Sequence, residues 1–261
     1  MAGSNVGNAN HMVASNVQSM IQSLKPWFHN IHLPDGSQTA PDHALGDYPN
    51  LKWQAIEPLL PKNMEGWTVL DVGCNAGFYS IKFAQRGAHV FALDYDPHYL
   101  AQARWTISQF NLSRYVELRQ MPVYDLARMR DQFDLVCFMG VFNRLRYPVL
   151  GLEIVSRKVG QLMMFQSLMM PGEEVINDPT DRPLHDRAVF HNPAWPKMAF
   201  IEHSFAGDPT NWWIPNRAAV EALLRLVGMS IIARPDPEVF FCERVLPASD
   251  DSLLIHAEAA T

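Results

Sequence analysis

The chain has 261 residues, of which 48% are hydrophobic and 18% are charged. This apolar share excludes a wholly disordered or fibrous chain and fits one large folded domain with an appended segment. The formal net charge of −6 disfavours a broad basic surface for nucleic acid. The cysteines, Cys74, Cys137 and Cys242, are odd in number and far apart. They predict no disulfide framework and a reducing, cytoplasmic setting.

The N-terminal region is predicted to be an appended extension. Residues 1–16 are small and polar, and we expect a flexible tail without a secretory signal. Residues 17–60 contain a predicted helix over Val17–Leu24, an aromatic and histidine segment, a loop and a short helix over Leu51–Leu60. No run in the chain approaches the roughly 20 apolar residues of a membrane span, so we expect no membrane association.

From Trp67 onward, short apolar runs alternate with amphipathic stretches, which predicts βαβ units and a parallel sheet covered on both faces. The predicted strands are Thr68–Val72, Ala88–Leu93, Val116–Arg119, Phe133–Met139 and Gln161–Leu168, and the predicted helices are Gly77–Arg86, Pro97–Phe110 and Val149–Lys158.

Late in this core the alternation stops. Several prolines interrupt Met170–Asn211, and an irregular segment of this length inside a compact domain is typically a lid or a binding surface. Regular structure resumes with a predicted helix over Asn216–Leu226, capped by Asn216, and two strands over Ser230–Ala233 and Val239–Arg244. We therefore expect an α/β domain over residues 61–246 with a lid-like insertion over residues 170–213, followed by a C-terminal tail over residues 247–261.

The most informative motif is the glycine loop after the first predicted strand. Asp71 precedes a turn with Gly73, Asn75 and Gly77, and glycine lets a backbone turn tightly and approach a ligand. Asp71 is placed to hold a cationic amino group. Asp94 ends the second strand and is placed to bind a ribose diol.

Three readings of this loop compete. A dinucleotide site requires G-x-G-x-x-G, whereas this loop is D-x-G-x-x-x-G and contains an acid. The wider spacing favours a nucleoside that carries a charged amino acid and no phosphate, which describes S-adenosylmethionine. The alternatives are a nicotinamide oxidoreductase and a glycine turn that only packs a helix on the sheet.

With these motifs the chain resembles the class I S-adenosylmethionine-dependent methyltransferases over roughly Leu51–Arg244. The resemblance implies a Rossmann-like, seven-stranded, mainly parallel sheet flanked by helices, with an antiparallel last strand. It also implies that the extension, residues 17–60, covers the cofactor. Further matches at Lys52-Trp53, Met139-Gly140-Val141 and Trp213-Ile214-Pro215 are similar to the tRNA wobble-uridine methyl- and carboxymethyltransferase group.

That group binds S-adenosylmethionine or carboxy-S-adenosylmethionine. The resemblance, together with the loop, implies cofactor contacts at Lys52, Asp71, Gly73, Asn75, Gly77, Asp94, Tyr95, Asp96, Val123, Tyr124 and Met139.

The chain departs from the carboxymethyltransferases at the residues that hold the extra carboxylate. Those enzymes have tyrosine and histidine where this chain has Asn143 and Arg144, and a tryptophan where it has Asp47. Their lysine has only a loose counterpart in Lys25. We therefore favour ordinary S-adenosylmethionine, with the carboxylated form as the alternative that Arg144 keeps open, since arginine binds carboxylates bidentately.

The predicted catalytic residues are His29, Asn143 and Arg144. A general base is needed only if the acceptor loses a proton, and His29, flanked by aromatic residues, is the first candidate ahead of His32, His185, His191 and His203. No histidine or cysteine pair has the spacing of a closed zinc site, so no metal is predicted. Trp195, Trp212 and Trp213 are interpreted as closing the lid or as a stacking platform.

Three hypotheses follow. The first is a methyltransferase acting on the oxygen or nitrogen of a small or medium-sized acceptor. The second is a tRNA wobble-uridine methyl- or carboxymethyltransferase, which the net charge disfavours. The third is a non-catalytic S-adenosylmethionine-binding module, which the presence of both loop acids disfavours. The sequence indicates neither the acceptor nor the oligomeric state.

Overall fold

The computed structural model describes residues 16–245 apart from residues 177 and 179. Of the predicted N-terminal tail, residues 1–16, all but residue 16 lies outside this range, as does the predicted C-terminal tail over residues 247–261. The chain divides into two compact units, Met1–Pro122 and Val123–Thr261. The division into extension, core and insertion remains a prediction.

Among its described residues, the first unit contains three parallel strands and four α-helices. Helix α1 includes residues 16–23. The other elements are α2 (Asn50–Ile56), β1 (Thr68–Val72), α3 (Phe78–Ala84), β2 (His89–Asp94), α4 (Pro97–Gln109) and β3 (Val116–Gln120). Strand β2 pairs in parallel with β1 and with β3. The predicted helices and strands of this unit are confirmed, with bounds that differ by a few residues.

The second unit contains six strands and two helices among its described residues. They are β4 (Phe133–Met139), α5 (Pro148–Ser156), β5 (Val159–Gln166), β6 (Met198–Phe200), β7 (Trp213–Pro215), α6 (Arg217–Leu226), β8 (Met229–Asp236) and β9 (Val239–Arg244). Strand β4 is parallel to β5, and β9 is antiparallel to both β5 and β8. Asn216 caps α6 as predicted, its side chain accepting a hydrogen bond from the Ala219 N–H.

The seven longer strands form one sheet in the order β3-β2-β1-β4-β5-β9-β8. This confirms the predicted mainly parallel sheet with an antiparallel last strand. The central strands read as continuous apolar runs because both faces are buried. Val69 and Leu70 of β1 and Leu135 and Val136 of β4 are fully buried.

The segment predicted to be irregular contains more structure than expected. It includes a 3₁₀ helix, Ala188–His191, and β6, which pairs antiparallel with β7. These elements were missed because a run of three or four residues is too short to show a hydrophobic period. Among the residues that the structure describes, no helix is long and apolar enough to cross a bilayer.

Candidate functional site

The glycine loop adopts a backbone that ordinary side chains resist. Gly73, Asn75 and Gly77 all have positive φ, at 73°, 49° and 83°. Asparagine is one of the few side chains that enter this region, and glycine does so at no steric cost. The loop is also tied to β2, because the N–H groups of Gly73 and Cys74 both donate to the carbonyl of Leu93, at 2.8 and 2.9 Å. The turn is therefore held rigidly at the carboxyl end of β1.

Asp94 connects this loop to the end of β2. Its Oδ2 accepts from the Asn75 N–H and its Oδ1 from the Asp96 N–H, each at 2.9 Å. An ionised carboxylate has about four acceptor positions, so each oxygen retains capacity for a hydroxyl donor. Burial raises the pKa of Asp94 against the lowering effect of these N–H groups. Hydroxyl groups that donate to this carboxylate would compensate its desolvation.

Asp71 lies inside β1 and points to α3. It is 2% exposed, and its Oδ2 accepts from the Ser80 hydroxyl at 2.6 Å. This contact favours a supporting role, in which Asp71 fixes the start of α3, over direct contact with a ligand. Thr106 of α4, which sequence reasoning missed, adds a second support because its buried hydroxyl donates to the loop carbonyl of Ala76 at 2.7 Å.

The remaining predicted contacts of the first unit differ in exposure. Lys52 lies half-buried on α2, and Tyr95 is 75% exposed. Asp96 caps α4 by accepting from the His98 N–H. The loop, Asp94 and Asp96 are thus brought together by hydrogen bonds, whereas Tyr95 projects towards solvent.

The N-terminal extension is held to α4 by a residue that the sequence analysis did not select. The buried amide of Gln102 donates to the carbonyls of Leu24 and Pro26, at 2.7 and 2.8 Å. The sequence feature that could have identified Gln102 is a polar residue at a position on the buried face of α4, where an apolar residue is expected. These bonds fix the start of the aromatic segment that contains His29.

His29 is enclosed by aromatic rings. It is 6% exposed, and its ring centroid lies 6.2 Å from those of Tyr48 and Phe78. Its Nδ1 is buried without a hydrogen-bond partner among the described residues. Burial and the nearby His43 lower the pKa of His29 from 6.5 to about 3. A general base works best with a pKa near the operating pH, so this pKa argues against the predicted role, which stays a prediction.

The buried imidazole makes stability depend on pH. The unfolded chain protonates His29 below pH 6.5, but the folded chain resists protonation until about pH 3. Stability should therefore fall as pH decreases through this window, by up to about 1.4 kcal/mol per pH unit for this group. In His29→Phe, urea unfolding between pH 6.5 and pH 4 should show a correspondingly shallower acid slope. Equal slopes for the two proteins would contradict the burial of this ring.

The predicted residues of the second unit lie in the 3₁₀ helix before β4, at the end of β4 and directly after it. Met139 ends this strand and is 9% exposed, and Val123, also 9% exposed, begins the 3₁₀ helix Val123–Arg128. The hydroxyl of Tyr124 accepts from the Tyr147 N–H at 3.1 Å. Tyr124 thereby connects this 3₁₀ helix to the start of α5.

Asn143 and Arg144 hold the end of the insertion. The Asn143 amide donates to Asn211 Oδ1 at 2.8 Å, and its backbone carbonyl accepts from the Trp212 N–H at 2.9 Å. Arg144 forms an ion pair with Asp208 and donates to Thr210 Oγ1 at 2.8 Å. Burial alone would raise the pKa of Asp208. The hydrogen bonds from Thr210 and the charge of Arg144 outweigh this effect, so the pKa of Asp208 is lowered. Both predicted catalytic residues therefore have positioning contacts, and their catalytic role stays a prediction.

We expect Asn143→Ala to destabilise the protein by about 1–3 kcal/mol, because the buried Asn211 loses its amide donor. Hydrogen exchange should accelerate in residues 205–212. A double-mutant cycle with Asn211→Ala, followed by urea unfolding, should give a coupling energy of about 0.5–3 kcal/mol. Additive effects of the two substitutions would show that this contact does not hold the insertion.

An aromatic cluster, Phe200, Trp212 and Trp213, lies on the β6–β7 hairpin. The rings of Phe200 and Trp212 are stacked at 15°, and the guanidinium of Arg146 lies 4.8 Å from the centre of the Trp212 ring. Phe200 is 57% exposed. Trp195, the third predicted platform residue, instead packs against Phe190 in the insertion. Within residues 16–245, leaving out 177 and 179, no group of three or more histidine, cysteine, aspartate or glutamate residues is arranged to hold a metal.

The fold and the loop agree with comparisons to known proteins. Residues 69–154 match the family model described as a methyltransferase domain. The N-terminal domain of EvdMO1, solved with SAH bound, superposes with a TM-score of 0.58 at 18% identity, covering 88% of this chain and 94% of that one. The predicted resemblance to class I S-adenosylmethionine-dependent methyltransferases is confirmed, and the chain carries a methyltransferase domain with their Rossmann-like fold.

Within that class, the similar curated proteins are named tRNA U34 carboxymethyltransferase. The Pseudomonas fluorescens protein is 30% identical over 193 residues, covering 72% of this chain and 52% of the relative. The Cellvibrio japonicus protein is 27% identical over 178 residues, covering 64% of this chain and 52% of the relative. The chain thus spans about half the length of these curated relatives. A cyclase, SpnF, shares the fold with a TM-score of 0.52 at 16% identity, covering 83% of this chain and 70% of that one, so the fold alone does not define the reaction.

Proposed function

We propose that this protein is an S-adenosylmethionine-dependent methyltransferase that transfers a methyl group to an oxygen or nitrogen of a small or medium-sized acceptor. The observation that carries this proposal is the joint placement of the loop and Asp94. The two carboxylate oxygens of Asp94 each accept a hydrogen bond from one backbone N–H. Each oxygen can still accept from a hydroxyl group, so the pair can bind the two hydroxyls of a ribose. The positive φ values of Gly73 and Gly77 are ones that a residue with a Cβ resists, so glycine lets the backbone make the tight turn at this edge of the sheet.

The residues present fit the adenosyl cofactor. Asp94 would hold the ribose hydroxyls, and the backbone of residues 73–77 would lie along the methionine end. When bound, the cofactor supplies a methyl group that its sulfonium already activates for in-line displacement. The chain's own residues then have to align the acceptor and exclude water, an effect that can contribute several kcal/mol. Asp71 and Thr106 would support the site without contacting the cofactor, because Asp71 holds the start of α3 and Thr106 holds the loop.

Ordinary S-adenosylmethionine is favoured over its carboxylated form. The alternative cofactor, carboxy-S-adenosylmethionine, depends on Arg144, because arginine can bind the additional carboxylate. Its guanidinium is already engaged by Asp208, by Thr210 and by the carbonyl of Gly140. A further carboxylate could bind this guanidinium bidentately only by displacing one of these partners.

The test is transfer of radiolabelled methyl groups from S-adenosylmethionine to two separate acceptor pools, a small-molecule cell extract and total tRNA. We expect label in the small-molecule pool with the parent protein and at least tenfold less label with Asp94→Asn when the cofactor is kept below saturation. Label in tRNA alone would establish the second candidate function in place of the first. Tight binding of S-adenosylhomocysteine with label in neither pool would support a non-catalytic module.

The second candidate function is modification of a tRNA wobble uridine. It is supported by the names of the curated relatives and by the aromatic cluster with Arg146, since stacking of one base on an aromatic ring contributes about 1–3 kcal/mol. The net charge of −6 counts against it. If tRNA binds this surface, Trp212→Leu should weaken tRNA binding at least tenfold in fluorescence anisotropy. An unchanged affinity would exclude this surface as the tRNA site.

A further inference from the structure

The first unit contains a cavity of about 120 Å³ between the N-terminal extension and α3. One face of α3 contributes Phe78, Ile81 and Lys82, and the extension contributes Ile31 and His32. Phe110, the C-cap residue that follows α4, completes the apolar part of the wall. The volume is several times the space that one ordered water requires, so a small organic molecule fits.

Lys82 is the cation in this wall. Its side chain is half-buried, and its Nζ lies 5.3 Å from the centre of the Phe78 ring. Burial lowers the pKa of Lys82, which means that the charged amine is incompletely solvated. Within the described part of the chain, no carboxylate lies within ion-pair distance of this amine.

The acidic groups whose charges act on Lys82 are Glu57 and Asp47, and each has another partner. Glu57 pairs with Arg86 at 2.5 Å. Asp47 accepts hydrogen bonds from His32 at 2.8 Å and from Asn50 at 2.9 Å. Both acids act on the amine only as charges that raise its pKa, and they do not outweigh the lowering by burial. A ligand's anionic group in direct contact with the amine would compensate its charge more fully.

We propose that this cavity binds a small organic carboxylate, with the carboxylate on Lys82 Nζ and the apolar body against Ile31, Ile81 and Phe110. A half-buried cation selects an anion, because an unpaired charge in a partly apolar wall is costly. The apolar residues select an organic body over an inorganic ion. The site uses the side face of α3, whereas the glycine loop precedes its first residue, so this inference does not depend on the proposed function.

Benzoate, its neutral analogue benzamide and inorganic phosphate are suitable probes, and chemical-shift titration of the full chain by ¹H–¹⁵N NMR is a suitable measurement. We expect benzoate to bind saturably with a millimolar dissociation constant and benzamide to bind at least tenfold more weakly. Lys82→Met should weaken benzoate binding at least tenfold. The matched control is Lys62→Met, which removes an exposed lysine of the same unit and should leave benzoate affinity unchanged.

Any of four results would overturn the proposal. The first is the absence of saturable benzoate binding by the parent protein, and the second is equal affinity for benzoate and benzamide. The third is unchanged benzoate affinity in Lys82→Met. Phosphate binding as tight as benzoate binding would also overturn it, since the apolar walls would then contribute nothing.

Discussion

Asp94→Asn should weaken the binding of S-adenosylhomocysteine by roughly 10- to 150-fold, which corresponds to the loss of a charge-assisted hydrogen bond of about 1.5–3 kcal/mol. The carboxylate serves two backbone donors at once, Asn75 N–H and Asp96 N–H. An amide has one oxygen, so one of these donors loses its acceptor and the loop is also loosened. Isothermal titration calorimetry measures the affinity directly.

Glu117→Gln is the matched control for this substitution. Glu117 is an exposed acid on β3 whose side chain pairs with Arg119 at 2.5 Å. Glu117→Gln also removes one negative charge from the first unit, but it should leave the affinity for S-adenosylhomocysteine unchanged. Equal affinity of Asp94→Asn and the parent protein would remove Asp94 from the cofactor site.

Gly77→Ala should destabilise the protein by about 2–5 kcal/mol and abolish tight cofactor binding. Gly77 has φ of +83°, a conformation that costs about 1–2 kcal/mol for a residue with a Cβ atom. The added Cβ would also lie 3.3 Å from Ile107 Cδ1 and 3.4 Å from Ala103 Cβ, which adds an overpacking cost of about 1–3 kcal/mol. Urea unfolding gives the total free-energy change.

Gly36→Ala separates these two costs. Gly36 has nearly the same φ, +86°, but no atom lies within 4 Å of its added Cβ. The Gly36→Ala variant should lose only about 1–2 kcal/mol of unfolding free energy and should retain its cofactor affinity. If both variants lost the same stability, packing of Gly77 against α4 would contribute nothing, and the loop would not depend on that contact.

The central strands could be predicted from the sequence because buried parallel strands are continuous apolar runs. The predicted bounds of β1 and β4 match the structure, and Asp94 ends β2. The loop was recognisable for a similar reason, since its glycines and acids lie within one strand–turn–helix unit. Local patterns of this kind require no knowledge of distant pairing.

The contacts of Asn143 and Arg144 could not be predicted in this way. Asn143 and Asn211 are 68 positions apart, and Arg144 and Asp208 are 64 positions apart. No periodicity relates residues across an irregular segment of this length. The positioning contacts of these two side chains were therefore not predicted, and their catalytic role stays a prediction.

His29 illustrates a second limit. A histidine beside aromatic residues fits both a reactive base in a cleft and a ring packed among other rings. The distinction depends on burial, and burial here comes from Tyr48 and Phe78, which belong to other segments. The same burial that lowers the pKa of His29 reduces its value as a base at neutral pH.

The central claim is that the glycine loop and Asp94 bind an adenosyl amino acid and not a dinucleotide. Calorimetric titration of the purified protein with S-adenosylhomocysteine and, separately, with NAD tests this most directly. We predict one saturable site with micromolar affinity for S-adenosylhomocysteine and no binding of NAD. Binding of NAD that Asp94→Asn weakens, with no heat from S-adenosylhomocysteine, would contradict the account.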